Sequence, residues 1–164
     1  LRIINLIEKE GRSLILVLNK WDIEKNKKEK INKLKNKIKL SLPQFGNISF
    51  VTISALRNEG TEKLYSAILD AKRNWQKRFA TSKLNKWLEI KTSEYPPPML
   101  KGRRLRLRYI TQIKSRPPNF LIFSSSLDVP KNYRRFLLNN IREQFNLKNI
   151  PIRLKFKVGN NPYV

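Results

Sequence analysis

Leu14-Ile15-Leu16-Val17-Leu18-Asn19-Lys20-Trp21-Asp22 decides how the first half of this chain reads. A short apolar run bounded by polar turn residues predicts a buried strand over 14–18. Asn19, Lys20 and Asp22 behind it form the pattern N-K-x-D. An ionised carboxylate only accepts hydrogen bonds and has two oxygens to do so. Guanine presents a ring N–H and an exocyclic amine side by side, so Asp22 can take both; adenine has no such pair. Asn19 brings a donor and an acceptor for the opposite edge of the base and for neighbouring loops. The aliphatic stem of Lys20 can lie along the purine face. In open α/β sheets, ligands bind beyond the carboxyl ends of strands, where this tetrapeptide sits.

A second strand, over 48–53, ends in Ser54-Ala55-Leu56. That is the place for a second base-binding loop. The Ala55 N–H is expected to meet a base carbonyl, Ser54 to orient Asp22 through its hydroxyl, and Leu56 to complete the loop. The competing reading of N-K-x-D alone is a polar turn in which Asp22 caps the next helix. Two matched loops at two strand ends favour the guanine reading.

Around these loops the periodicity predicts β-α-β-α, half of a doubly wound domain. A short apolar helix carries Ile3, Ile4, Leu6 and Ile7 and stops at Gly11. A lysine-rich helix is expected from Glu24 to Leu42, with Ile31, Leu34, Ile38 and Leu42 inside and Pro43 and Gly46 ending it. A long helix follows Gly60, with Thr61 as its N-cap and Leu64, Ile68, Ala71 and Trp75 inside.

A second unit begins near Thr81 and reads α-β-β-α-β. Thr81 or Ser82 is expected to cap a helix carrying Leu84, Trp87 and Leu88, which Pro96-Pro97-Pro98 stops. Arg104, Arg106 and Arg108 alternate with Leu105, Leu107 and Tyr109, and Arg153, Lys155 and Lys157 alternate with Ile152, Leu154, Phe156 and Val158. Alternation predicts two half-buried strands. With helices over one face of the sheet, both cationic rows are expected on the other, and Arg103, Arg134 and Arg135 could extend the patch.

The charge supports a polyanionic partner. Lysine and arginine number 36 against 12 acidic residues, a net +24 over 164 residues. Residues 80–164 contain only four acidic side chains, Glu89, Glu94, Asp128 and Glu143. Cationic side chains on alternate strand positions suit phosphates more than base edges. The alternative is that this face docks on another domain of the same protein. Membrane association is not expected, because the stripe of the basic helix lacks Trp and Phe and is needed by the sheet. With no Cys and no His, disulfides, Cys/His zinc sites and His-based triads are excluded.

The motifs in order resemble one family. Ile3-to-Arg12, Val17-to-Asp22, Ser54-Ala55-Leu56, Thr81-Ser82-Lys83-Leu84-Asn85, Gly102-Arg103-Arg104-Leu105, Thr111-Gln112, Arg116-Pro117-Pro118, Tyr133-Arg134-Arg135-Phe136 and Pro151-Ile152-Arg153-Leu154 resemble the C-terminal part of the bacterial tandem-GTPase family Der (EngA). The resemblance implies an α/β chain: the C-terminal half of a P-loop GTPase-type domain over 1–79, then an α+β KH-like domain over 80–164. It implies GTP or GDP with Mg²⁺ as ligands of the whole protein and a cytoplasmic role in large-ribosomal-subunit assembly. The implied partners are that subunit, its rRNA, and the other GTPase domains of the same protein. The chain starts without Met inside an expected helix, so it is expected to be a piece. No G-x-x-x-x-G-K-[ST] phosphate loop occurs in it, so it is expected to be inactive in hydrolysis alone. The G-x-x-G loop of ordinary KH domains is absent too, as in the family. The remaining alternative is a stand-alone basic KH-like module without nucleotide chemistry.

Overall fold

The computed structural model describes residues 2–41, 48, 50–100, 102–147 and 150–159. It divides into two compact units, Leu1–Trp75 with Asn146–Pro151 and Gln76–Phe145 with Ile152–Val164.

In the first unit, α1 (Arg2–Lys9) ends at Gly11, which adopts φ 68°. The Gly11 N–H donates to Glu8 C=O and the Arg12 N–H to Ile7 C=O, the paired closure that a left-handed glycine permits. Strand β1 (Leu16–Leu18) pairs in parallel with β2 (Phe50–Thr52), with Leu18 beside Thr52. Between them, α2 (Lys27–Ser41) starts three residues later than the expected Glu24, because the Glu24 side chain accepts from the Asn26 N–H and pairs with Lys30. Leu42, Pro43 and Gly46 lie outside the described residues. Leu14, Ile38 and Ile48 form a core on which Ile4, Ile7, Leu16, Leu34 and Phe50 pack. Helix α3 (Thr61–Trp75) follows.

Thr61 is not the cap of α3. It lies inside the helix, and the Gly60 carbonyl takes the Leu64 N–H. Gly60 has φ +77°, and a Cβ there would lie 2.5 Å from the Thr52 carbonyl oxygen. Left-handed backbone and close approach both demand glycine.

The second unit opens with α4 (Thr81–Glu94). Ala80, rather than Thr81 or Ser82, stands at the cap, and no side chain caps it. A small antiparallel ribbon, β3 (Met99–Leu100) with β4 (Arg103–Arg104), precedes a three-stranded sheet. The sheet runs β5 (Leu107–Lys114), β6 (Asn119–Ser124), β7 (Arg153–Val158), with β5–β6 antiparallel and β6–β7 parallel. Helix α5 (Lys131–Gln144) supplies the crossover. Ile110, Phe120, Ile122, Leu84, Leu137 and Ile141 are fully buried, and Phe79 packs its ring 4.6 Å from that of Phe145.

The strand expected at 104–109 is therefore displaced. Arg104 belongs to the ribbon, the Leu105 N–H turns to Pro98 C=O, and the pairing of β5 shifts register between Leu107 and Tyr109. Such a bulge breaks the strict alternation on which the single-face reading depended.

Because β5 is an edge strand, its outward backbone groups need other partners. The Asn85 side chain supplies them: its amide donates to Ile110 C=O and its oxygen accepts from Ile110 N–H, both at 2.9 Å. Further along, the Gln112 side chain accepts from Phe79 N–H and donates to Lys77 C=O, also at 2.9 Å. Asn85→Leu would strip both partners from Ile110, at about 1–3 kcal/mol for each buried group left unpaired. Urea unfolding of the 164-residue chain should show a clear loss of stability, whereas Lys86→Leu, one residue along on the exposed side, should leave it nearly unchanged.

Candidate functional site

The first candidate site stands where β1 and β2 end together. The Ile53 N–H donates to Leu18 C=O and the Trp21 N–H to Ile53 C=O, so the two exit segments continue the pairing beyond the strands. Lys20 takes φ 58°, an uncommon conformation for a residue with a side chain. Its N–H donates to Asn19 Oδ1 at 2.7 Å. The same oxygen accepts the Ala55 N–H at 3.1 Å. Asn19 is thus the strap between the two loops, and the Ala55 N–H, expected to meet a base carbonyl, is engaged by it.

Ser54 is almost fully buried, and its backbone N–H and C=O both bond Glu59, closing the loop 54–59 on itself. Its Oγ accepts from the Arg57 N–H at 3.3 Å, and its side chain hydrogen-bonds Asp22. That bond is the main cause holding the Asp22 carboxyl below its ordinary value of 3.8. Burial opposes it, while the Asp22 N–H and the charges of Arg57 and Lys27 assist. Arg57 Nε stands 3.7 Å from Asp22 Oδ2. Asp22 is therefore a fixed, ionised acceptor, with 6% of its side chain exposed. Lys20, Ala55 and Leu56 are exposed beside it, Leu56 at 90%.

The chemistry of this set fits a guanine base: two carboxylate oxygens, an amide anchored between two loops, and a lysine stem free to lie flat. Among the described residues no three acidic, His or Cys side chains gather in one place, and the chain has no phosphate loop.

Sequence reasoning missed Arg57, Glu59 and Gly60. The first two act through backbone closure and a long-range ion pair that no spacing rule encodes. A lone glycine just before a helix was the one available signal.

The second candidate surface lies in the second unit. Along β7, Arg153, Lys155 and Lys157 are exposed and pair with Asn119, Leu121 and Phe123 of β6, while Leu154 and Phe156 pair with core residues Phe120 and Ile122. The β7 row is thus one cationic face, with Lys157 Nζ 5.9 Å over the Phe123 ring. Arg103, Arg104, Arg106 and Arg108 are exposed as well, but they gather around a separate concavity between the ribbon and the Ser125–Asp128 loop. The two rows do not form the single face expected from alternation. Arg134 is exposed yet committed: its guanidinium donates to Val129 and Leu127 carbonyls at 2.9 Å and lies 5.0 Å over the Phe156 ring. Arg135 is exposed on α5. Tyr133 beside it is buried, donates to Tyr95 C=O, and is pushed up to about 12 by burial, so it stays neutral.

Comparison with known proteins gives both units relatives. The family described as "KH-domain-like of EngA bacterial GTPase enzymes, C-terminal" matches residues 78–157. The chain is 44% identical to the GTPase Der of Parvibaculum lavamentivorans over 164 residues, covering 99% of this chain and 35% of that protein. It is 42% identical to the GTPase Der of a Bradyrhizobium species, covering 99% of this chain and 36% of that protein. For the GTPase Der of Ruegeria pomeroyi the identity is also 42%, covering 99% and 34%. The chain spans about a third of the length of the curated relatives it matches. No described helix is long and apolar enough to cross a membrane.

The role of Ser54 can be read by titration. In Ser54→Ala the Asp22 carboxyl should titrate higher, back toward 3.8. Because the folded value is depressed, its stabilising contribution is present above the unfolded carboxylate range and lost as pH falls through the folded value. Carboxyl-carbon NMR should show the upward shift; an unmoved Asp22 would assign its depression to Arg57 and Lys27 instead.

Proposed function

We propose that this chain, a C-terminal region of the Der (EngA) GTPase family, contributes guanine recognition from residues 1–79 and ribosomal RNA contact from a KH-like domain over 80–164. The observation that carries the first part is the Asn19 strap together with the ionised Asp22 held by Ser54. With the two loops tied, Asp22 accepts the ring N–H and exocyclic amine of guanine as a pair. Lys20 covers one face of the base, and Ser54, Ala55 and Leu56 border it. Fixed acceptors need no reorganisation on binding, so little of the interaction is lost to ordering.

GTP or GDP with Mg²⁺ are the ligands proposed for the whole protein. Residues of this chain hold the base only; the phosphates and the metal require groups that its sequence does not contain. Hydrolysis by the whole protein, and a cytoplasmic role in assembling the large ribosomal subunit, rest on its family. The exposed β7 row of Arg153, Lys155 and Lys157 is the surface proposed to follow rRNA phosphates; such contacts position RNA without reading its sequence.

Asp22→Asn tests the base assignment in a protein carrying the whole GTP-binding domain. The guanine donors would face a side-chain amide, weakening guanine nucleotides by about 1–3 kcal/mol, roughly 5- to 150-fold. Xanthine nucleotides should gain, since their additional carbonyl accepts from that amide. Calorimetric titration with both nucleotides reads the switch; unchanged guanine preference would remove Asp22 from the site.

A further inference from the structure

The concavity in the second unit has a volume of about 910 Å³ and is lined by Leu100, Arg103, Arg104, Leu105, Arg106 and Arg108 on one side. Ser125, Ser126 and Asp128 close the other. Its scaffold is pinned. Arg104 pairs with Met99 across the ribbon, and the Leu105 N–H donates to Pro98 C=O. The Arg106 N–H donates to Ser125 Oγ, and the Ser125 N–H donates to Arg106 C=O. Leu105 is 2% exposed and anchors the middle of the segment. Four arginines of this segment therefore line one space, with Asp128 the one acidic residue among the described lining residues. No ion pair within 4 Å joins any of them to a carboxylate among the described residues. Like charges held together in this way repel one another and create a local positive potential that favours a multivalent anion.

The shape says which anion. The cations of β7 recur at every second residue, roughly 6.6 Å apart along a line, a spacing suited to an extended nucleic-acid backbone. The four arginines instead surround one concavity, suiting charges that are covalently close together. Guanidinium forks bind phosphate oxygens in pairs, which makes arginine the suitable residue for linked phosphates. Among the described residues no aromatic ring lines the space, so they give it no stacking platform for a base.

We propose that this arginine basin is a binding site for free polyphosphate, a chain of linked phosphates held without base contacts, separate from the RNA-facing row of β7. The site goes beyond the guanine and RNA roles, and its test separates it from the RNA role.

The probe is sodium tripolyphosphate, titrated calorimetrically into the full 164-residue chain in about 0.15 M KCl, where exposed charges more than roughly 8 Å apart are screened. The expected result is saturable one-to-one binding, at least about tenfold tighter than orthophosphate at matched ionic strength, since several forks engage one ligand. Arg103→Gln with Arg106→Gln should weaken it by about tenfold or more while leaving the circular dichroism spectrum unchanged, because both side chains are exposed. Lys155→Gln with Lys157→Gln should leave tripolyphosphate binding unchanged and reduce oligouridylate binding. Equal tripolyphosphate affinity in the Arg103/Arg106 variant, or displacement of bound tripolyphosphate by saturating oligouridylate, would overturn the proposal. A chain that binds tripolyphosphate but no oligouridylate supports the basin and removes the RNA reading instead.

Discussion

The parallel register of β1 and β2, with Leu18 beside Thr52, is the constraint on which the proposed guanine site depends. It brings two segments 36 residues apart in sequence to one sheet end, where the Ala55 N–H meets Asn19 Oδ1. Neither loop could hold its shape alone. Lys20 sits in a left-handed conformation that costs free energy unless its surroundings enforce it. Ser54 reaches Asp22 only because the loop closes through Glu59 and turns at Gly60, whose missing Cβ leaves room for the Thr52 carbonyl. The carboxylate that defines the site is thus the last link of a chain of backbone bonds, and its depressed pKa reports that the chain is intact.

The second unit solves a different problem by related means. A three-stranded sheet with an exposed edge invites pairing with other chains. Here the Asn85 side chain from a helix occupies that edge at Ile110, while Gln112 of the strand ties down the Lys77–Phe79 segment. Edge closure by side chains fixes α4 against β5 and leaves the ribbon and the Ser125–Asp128 loop to frame the arginine basin. Cationic groups then divide between a linear row on β7 and a converging set at the ribbon. The same residue type does different electrostatic work in the two places because the backbone beneath it differs.

Much of this was legible in the residues. The apolar run ending in Asn19, the stripe of α4 and the alternation in β7 follow from short-range periodicity, which local sequence encodes, whereas the stripe expected for α3 holds only in part, since Ala71 is buried but Ile68 is exposed. Motif order also carried the resemblance to the relatives the chain matches. Helix starts were misplaced where a side chain competed with the backbone, as at Glu24, or where a glycine or alanine took the cap from a neighbouring hydroxyl. The arginine segment was misread for a physical reason: alternation over 104–109 implies one strand only if pairing is continuous. Pairing passes from the ribbon at Arg104 to β5 at Leu107, and a register shift between Leu107 and Tyr109 interrupts it again. Asn19 was expected to reach neighbouring loops, but its partner at Ala55 and the clamp from Asn85 were beyond local reading, since each joins residues far apart in sequence.

The central claim is that the loops at 19–22 and 54–56 form one guanine-selective surface. Backbone amide NMR of the 164-residue chain, titrated with GMP and separately with AMP, tests it without the phosphate-binding part of the domain. The account predicts shifts at Asn19–Asp22 and Ser54–Leu56 with GMP, at millimolar concentrations appropriate to base contacts alone, and none there with AMP. Equal shifts from both nucleotides, or shifts confined to the second unit, would contradict it.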